Sequence, residues 1–212
     1  VAYLDEHPEV DLCSCGMELF GAKQETWVRE TNVEDVKITA LFHSPILHAS
    51  SMWRREAFER VGLRFMQEMV PAEDYDMWTR AMSAGLRLVN IPEVMYQYRI
   101  HSSQATTQTD KTAKKDREVK ANYLRMLYPT EDMSTVNLLP AQSASDLERI
   151  KQSVAHLLEA NKRTPFFEQV RLEKRMWNYY YRQVVNCLAV HFEWRLLGEL
   201  SWKWRMKWLL RK

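Results

Sequence analysis

Short runs of alternating apolar and polar residues recur through the first hundred positions of the chain. Alternation with a period of two is typical of β-strands, because successive side chains point to opposite faces of a sheet. Gly16 and Gly21 bracket one such run, and Pro92 and Glu93 separate two others. The pattern predicts short strands over residues 10–15, 17–20, 46–52, 86–91 and 94–100.

Helical spacing fills the intervals between these strands. Asn32 can cap a helix over residues 33–42, and Gly62 can end a second helix over residues 54–61. A third helix can begin directly after Pro71, and a fourth is predicted by apolar residues that recur every three or four positions. Those residues are Val119, Tyr123, Met126 and Leu127, and the helix stops at Pro129.

The chain changes character near residue 129, which suggests a domain boundary. Residues 129–144 have the composition of a linker, and the residues after them show only helical spacing. We therefore predict an α/β body over residues 1–128 and an all-helical extension over residues 145–212.

Two helices are predicted in the extension. The run Ser145-Asp146-Leu147-Glu148 has the spacing of a capping box that opens the first, and Thr164 with Pro165 can open the second. The apolar face of the second helix would consist of Trp177, Tyr181, Val184, Leu188, Phe192 and Leu196.

Composition and charge restrict the class of protein. The 212 residues are 46% apolar and carry a formal net charge of +2, so a core is affordable and nucleic acid is not an expected partner. Three cysteines favour neither a disulfide framework nor a zinc site, and we expect Cys13 and Cys15 to be packed. No apolar run approaches the roughly 20 residues of a membrane span. Because Tyr3 and Leu4 look like the end of a helix, we expect a piece of a longer protein.

Candidate chemistry is concentrated at the start of the predicted third helix, which Gly85 can end. On a helical wheel Asp74 falls in line with Trp78, on the inward apolar face. Asp76 falls four residues before Arg80 and can pair with it on the outer face. Asp74 is therefore the acid directed at the protein interior or at a cleft, where it could act as a general base.

A purely structural role for these acids is an alternative, because the helix dipole favours acids in any first turn. Burial would raise the pKa of Asp74, the helix N-terminus would lower it, and the sequence leaves the net direction open. His101, at the end of a predicted strand, has a similar structural alternative as a hydrogen-bonded histidine.

Several motifs occur in a fixed order along the first 125 or so residues. They are the segment from Leu47 to Phe58, then Val61-Gly62, Glu73-Asp74-Tyr75-Asp76-Met77-Trp78, Gly85 and Tyr98-Arg99-Ile100-His101. As an ordered set they resemble the C-terminal half of family 2 glycosyltransferases of the GT-A fold. The resemblance implies inverting transfer of a sugar from a nucleotide-diphosphate donor to the hydroxyl of a glycan or lipid-linked acceptor, in polysaccharide or glycolipid synthesis at the cell envelope.

The resemblance also implies roles for particular residues. Asp74 matches the catalytic base of the family, and Glu73 flanks it. His101 matches the histidine near the donor diphosphate and its divalent metal, so it is also a candidate metal ligand. Arg99 would contact phosphate or, alternatively, pair with a strand neighbour. His48 and Arg54 lie in the segment that lines the acceptor side, with a structural role as the alternative for both.

One part of the family pattern is missing from this sequence. Family members place the nucleotide on an N-terminal half that ends in an Asp-x-Asp metal-binding motif. Asp74-Tyr75-Asp76 has these letters, but it lies at a predicted helix start and belongs to the other motif. We therefore expect a divalent cation, Mg²⁺ or Mn²⁺, in the full-length enzyme, no metal bound by this chain, and no sugar transfer by this chain alone.

Residues 195–212 combine basic side chains with Trp202, Trp204 and Trp208. This combination suggests an anionic membrane surface, whereas apolar stripes on nearly opposite sides of the helical wheel suit burial between protein partners. The expected location is cytoplasmic, either free or peripheral at the inner face of the cell membrane. A different class of function stays open, in which the chain is a non-catalytic binding or assembly module and the helical extension forms a homo-oligomer.

Overall fold

A computed structural model describes residues 1–100 and 109–191. The chain divides into two units at Leu127 and Tyr128, and the first unit is a mixed α/β fold, as predicted. The predictions for His101 and for residues 195–212 lie outside the described residues. The elements of the first unit are α1 (Ala2–Glu6), β1 (Leu12–Gly21), β2 (Glu25–Trp27), α2 (Val33–Thr39), β3 (Met52–Trp53), α3 (Arg55–Arg60), α4 (Glu73–Ser83), β4 (Leu88–Ile100) and α5 (Thr109–Leu127).

The sheet of the first unit is organised around β1. One edge of β1 pairs in parallel with β4, from Leu12 opposite Leu88 to Gly21 opposite Ile100. The other edge pairs in antiparallel fashion with β3 near its start and with β2 near its end. The mixed sheet buries the first three residues of β4, Leu88, Val89 and Asn90, and the rest of the strand is partly or fully exposed.

Two predicted strand breaks are wrong. Residues 10–15 and 17–20 belong to one strand, β1, and residues 86–91 and 94–100 fall largely within one strand, β4. The pairing of β1 with β4 shifts register around Gly16, where Ser14 lies opposite Asn90 and Gly16 opposite Val94. Pro92 lies within this irregular stretch, and such bulges accommodate glycine and proline without ending a strand.

The strand predicted over residues 46–52 is also wrong. His48–Ser50 form a short 3₁₀ helix, and only Met52–Trp53 form a strand. The Ser50 hydroxyl donates a hydrogen bond to the Leu47 carbonyl (3.1 Å), and the Ser51 hydroxyl donates to the His48 carbonyl (2.7 Å). These local side-chain bonds stabilise a turn at the expense of sheet pairing.

Helix ends agree better with the sequence. Asn32 caps α2 by accepting a hydrogen bond from the Glu34 amide at 2.9 Å, although α2 ends at Thr39 and is shorter than predicted. Gly62 and Gly85 follow α3 and α4 with positive φ angles of 68° and 86°, the conformation that favours glycine. The predicted apolar face of α5 is buried at Val119, Tyr123 and Leu127, while Met126 is exposed.

The second unit contains α6 (Ala144–Arg163) and α7 (Gln169–His191), and both begin at positions other than those predicted. Ser143 caps α6, because its hydroxyl accepts from the Asp146 amide (3.3 Å) and donates to the Asp146 carboxylate (2.9 Å). Asn161 accepts hydrogen bonds from the amides of Phe166 and Phe167, which holds the predicted start of α7 in a non-helical connection.

The buried face of α7 is rotated from the predicted one. Val184 and Leu188 are buried as predicted, but Trp177 and Tyr181 are only half-buried, and Phe192 and Leu196 lie outside the described residues. The buried apolar residues are Leu172, Met176, Tyr180, Val184, Cys187 and Leu188. All three cysteines of the chain are buried and free of disulfides, as predicted for Cys13 and Cys15.

Candidate active site

The start of α4 is held in place by its buried face. The Tyr75 hydroxyl donates a hydrogen bond to the Ala40 carbonyl at 2.5 Å, which ties α4 to the end of α2. Trp78 is fully buried, with ring centroids 5.9 Å from Trp53 and 6.4 Å from Phe58. Tyr75 lies in the first turn of α4 and Trp78 follows shortly after it. These two buried side chains therefore fix the position of the acids in that turn.

Asp74 is half-buried in the first turn of α4. Its Oδ1 accepts a hydrogen bond from the Tyr75 amide at 2.7 Å, and its Oδ2 makes none to any residue that the structure describes. Burial raises the pKa of Asp74, and the Tyr75 amide and the nearby His48 imidazole only partly oppose this effect. The direction that the sequence left open is therefore upward, and a carboxylate of raised pKa is the stronger base once it is ionised.

Glu73, the residue before Asp74, has an unsatisfied acceptor. Its Oε2 is buried and makes no hydrogen bond within residues 1–100 and 109–191. Its charge also contributes to raising the pKa of Asp74. Buried acceptors without partners are rare in folded proteins and mark strained or functional positions.

His48 contributes to the electrostatic surroundings of Asp74. Its ring is exposed, lies 5.9 Å from the Trp78 ring and 5.3 Å from the Phe65 ring, and interacts electrostatically with Asp74. The structure therefore brings together three predicted site residues, namely Glu73, Asp74 and His48.

Arg54 has a structural task. Its guanidinium donates hydrogen bonds to the carbonyls of Val10 (2.9 Å), His7 (3.4 Å) and Leu4. These bonds fasten the connection between α1 and β1 to the start of α3. They account for Arg54 without a substrate and favour the structural alternative.

Arg99 lies on the exposed second half of β4. Its guanidinium is 5.4 Å from the centre of the Phe20 ring, and Phe20 is its register partner on β1. This is the contact with a strand neighbour that the sequence offered as the alternative to phosphate binding.

Asp76 faces away from Asp74 and is nearly inaccessible. As predicted, it pairs with Arg80, whose Nε and Nη2 both lie 2.8 Å from Asp76 Oδ2. The predicted outer position is wrong, because the Asp76 side chain is only 4% exposed. Arg80 also donates to the Arg64 carbonyl at 2.7 Å, so the segment between α3 and α4 covers the pair.

A cavity of about 450 Å³ adjoins this pair, on the side of α4 that faces α5. None of the residues that line it is a predicted site residue. The lining residues are Met66, Glu68, Met69, Asp76, Arg80, Glu118, Asn122, Arg125 and Met126.

Residues 1–100 and 109–191 contain no group of three or more His, Cys, Asp or Glu side chains that could hold a metal ion. The side chains present there do not by themselves fit the divalent cation that the family resemblance implies. No helix within these residues is long and apolar enough to cross a membrane.

Two curated proteins resemble the chain in sequence. An uncharacterized glycosyltransferase of Haemophilus influenzae is 23% identical over 173 residues, which cover 74% of this chain and 53% of that protein. The amylovoran biosynthesis glycosyltransferase AmsE of Erwinia amylovora is 26% identical over 104 residues, or 48% of this chain and 38% of AmsE. The chain is related to glycosyltransferases.

The similarity covers only part of each relative. The chain spans about half the length of the Haemophilus influenzae relative and less than half of AmsE. No protein-family model and no solved structure matches the chain. The mixed α/β fold is compatible with a glycosyltransferase.

Sequence reasoning missed one part of the site. Phe65 follows Gly62 in an irregular segment, so no helical or strand period indicated that its ring would contact His48. The unpaired state of Glu73 Oε2 was also unforeseen, since it depends on the surroundings of α4.

Proposed function

We propose that this chain is the acceptor-side part of an inverting, family 2 glycosyltransferase of the GT-A fold, and that Asp74 is its catalytic base. The observation that carries the proposal is the state of the Asp74 carboxylate. It is half-buried, has a raised pKa, and presents an oxygen without a hydrogen-bond partner among the described residues. Perturbed carboxylates of this kind cluster at functional sites.

In this proposal Asp74 removes the proton from an acceptor hydroxyl while that oxygen attacks the anomeric carbon of a nucleotide-diphosphate sugar. The new glycosidic bond forms on the face opposite the departing diphosphate, so the configuration inverts. The Tyr75 amide holds Oδ1, which leaves Oδ2 to receive the proton. Fixing one oxygen orients the base without neutralising it.

The donor side of the reaction belongs to the full-length enzyme. His101 and Arg99 are proposed to lie near the donor diphosphate, and the nucleotide and a Mg²⁺ or Mn²⁺ ion would be held mainly by residues upstream of this chain. The cation would offset charge on the leaving diphosphate. The 212-residue chain by itself is expected to transfer no sugar.

The biological setting is proposed from the same resemblance. One relative is named for amylovoran biosynthesis, which supports a biosynthetic role for this protein, in polysaccharide or glycolipid assembly at the cell envelope. We place the enzyme in the cytoplasm or at the inner face of the membrane. The proposal includes membrane contact through residues 195–212 and self-association through the helical extension.

The test is Asp74→Asn in the full-length protein, assayed for transfer and for donor binding. Transfer should fall by about 10²–10⁴, the usual contribution of a general base, while donor affinity stays unchanged. Asp110→Asn is the matched control, because Asp110 is an exposed acid in the first turn of another helix, α5. Equal activity of the two variants, or equal loss of transfer and donor binding in Asp74→Asn, would show that Asp74 only stabilises the helix.

A further inference from the structure

Two exposed aromatic side chains, Phe65 and His48, pack on Trp78 of α4, the helix that carries Asp74. Phe65 is 42% exposed, although its ring also packs against the rings of His48 and Trp78. The centre of its ring lies 5.3 Å from the His48 ring, and the two ring planes are tilted by 36°. His48 is exposed as well and interacts electrostatically with Asp74. The pair therefore offers solvent a broad aromatic surface next to the proposed base.

This surface has a rigid support. The Trp78 ring, which is fully buried, contacts His48 edge-on at 5.9 Å and Phe65 edge-on at 6.4 Å. Trp78 is four residues after Asp74 on α4, so one short helix holds both the carboxylate and the base of the aromatic pair. These contacts hold the two outer rings in place, and both residues stay exposed to solvent.

We propose that Phe65 and His48 form an aromatic platform that binds the pyranose ring of the acceptor, adjacent to Asp74. The inference rests on the proposed function, which supplies the acceptor. A pyranose has an apolar face of C–H groups and a rim of hydroxyls, so it combines aromatic stacking with hydrogen bonding. On this platform the C–H face meets the rings, and a rim hydroxyl lies next to the Asp74 carboxylate.

The Asp74 carboxylate favours a polyhydroxylated ligand over a purely apolar one. Its Oδ2 makes no hydrogen bond to the described residues and can accept one from a ligand hydroxyl. Binding sites for small molecules commonly combine an apolar or aromatic floor with a few convergent polar atoms. The exposed rings would supply the floor, and the Asp74 carboxylate would supply polar atoms.

The cavity between α4 and α5 does not compete for this role. It is lined by the paired Asp76 and Arg80 and by methionines, and neither Phe65 nor His48 lines it. It does provide a matched control, because Met66 follows Phe65 directly, is 39% exposed, and belongs to the cavity lining.

The first experiment uses the intact 212-residue chain and a panel of free disaccharides, namely maltose, cellobiose, lactose and N,N′-diacetylchitobiose, with binding measured by saturation-transfer NMR. At least one sugar should bind the wild-type chain, with its C–H face closest to the protein. Phe65→Ala should weaken that binding about tenfold, since one aromatic stack contributes about that much. Phe65→Tyr and Met66→Ala should bind like wild type.

Other results would overturn the platform. The platform would be contradicted if the wild-type chain bound none of the four sugars up to 50 mM. It would also be contradicted if Phe65→Ala bound as well as wild type, or if Met66→Ala lost as much binding as Phe65→Ala. Circular dichroism of each variant separates lost binding from lost folding. His48→Phe should keep the stacking surface and hence the affinity, which separates the aromatic role of His48 from its charge.

A second experiment separates the platform from the proposed catalytic role. In the full-length enzyme Phe65→Ala should raise KM for the acceptor about tenfold while kcat and donor KM change little. Loss of transfer in Asp74→Asn with an unchanged acceptor KM in Phe65→Ala would overturn the platform alone. Full transfer by Asp74→Asn with the raised KM in Phe65→Ala would overturn the catalytic base and support the platform.

Discussion

The two faces of α4 carry the same residue type in different states. Asp74 and Asp76 are two positions apart in the first turn, so they experience the same helix dipole. Asp76 is buried and its Oδ2 pairs with two nitrogens of Arg80, whereas Asp74 is half-buried and makes no ion pair with any residue that the structure describes. The surroundings, and not the position in the helix, make one acid structural and leave the other available for chemistry.

The segment between α3 and α4 contributes to the surroundings of α4 in two ways. Around Asp76 the segment between α3 and α4 contributes the Arg64 carbonyl, which satisfies a further donor of Arg80. The same segment also contributes the exposed Phe65 ring, which contacts the rings of His48 and Trp78. The segment between α3 and α4 therefore covers the Asp76–Arg80 pair and also supplies an exposed aromatic ring.

The largest expected effect on stability comes from removing the charge of Asp76. Asp76→Asn leaves Arg80 largely buried without its counter-ion, and the free energy of unfolding should fall by roughly 2–3 kcal/mol. This is below the 3–5 kcal/mol of a fully buried pair, because Arg80 keeps some contact with solvent. Urea denaturation of the 212-residue chain measures the change.

A double variant sharpens that prediction. Asp76→Asn combined with Arg80→Gln removes both charges, and it should recover part of the stability that Asp76→Asn loses. No recovery in the double variant, or a loss below about 0.5 kcal/mol in Asp76→Asn, would mean that the pair is a weak surface ion pair.

Removing the charge of Asp74 should have a smaller effect on stability, and of opposite sign. The raised pKa of Asp74 means that the folded chain holds this proton more tightly than the unfolded chain does. Its contribution to stability is therefore lost as pH rises from the ordinary aspartate range through the raised pKa. Asp74→Asn should equal or exceed wild type in stability at pH 7, and the advantage should shrink when the pH is lowered through that window.

Thermal unfolding at several pH values tests this prediction. A stabilising change that also abolishes activity is typical of a functional residue. A clear loss of stability at pH 7 in Asp74→Asn would instead place Asp74 with Asp76 as a structural acid, and the contrast between the two faces would disappear.

Local chemistry made part of this site predictable. Gly62, Gly85 and the four-residue spacing of Asp76 and Arg80 act within one or two turns, so the helix ends and the ion pair followed from the sequence. The burial of Trp78 followed from its position on the apolar face of α4.

The remaining features depend on segments distant along the chain. The continuity of β4 through Pro92 requires β1 as its neighbour, and the burial of Asp76 requires the segment that contains Arg64. The raised pKa of Asp74 and the position of Phe65 depend on how several elements pack around α4. None of these arrangements has a local sequence signal.

The central claim is that transfer depends on the ionised carboxylate of Asp74, and the acid limb of the kcat/KM profile tests it most directly. The profile is measured for the full-length enzyme and for His48→Phe, with folding checked by circular dichroism at each pH. His48 lowers the pKa of Asp74, so its replacement should move the acid limb to higher pH. An acid limb that remains in Asp74→Asn with unchanged activity would contradict the claim, whereas an unmoved limb in His48→Phe would show only that His48 does not act on this carboxylate.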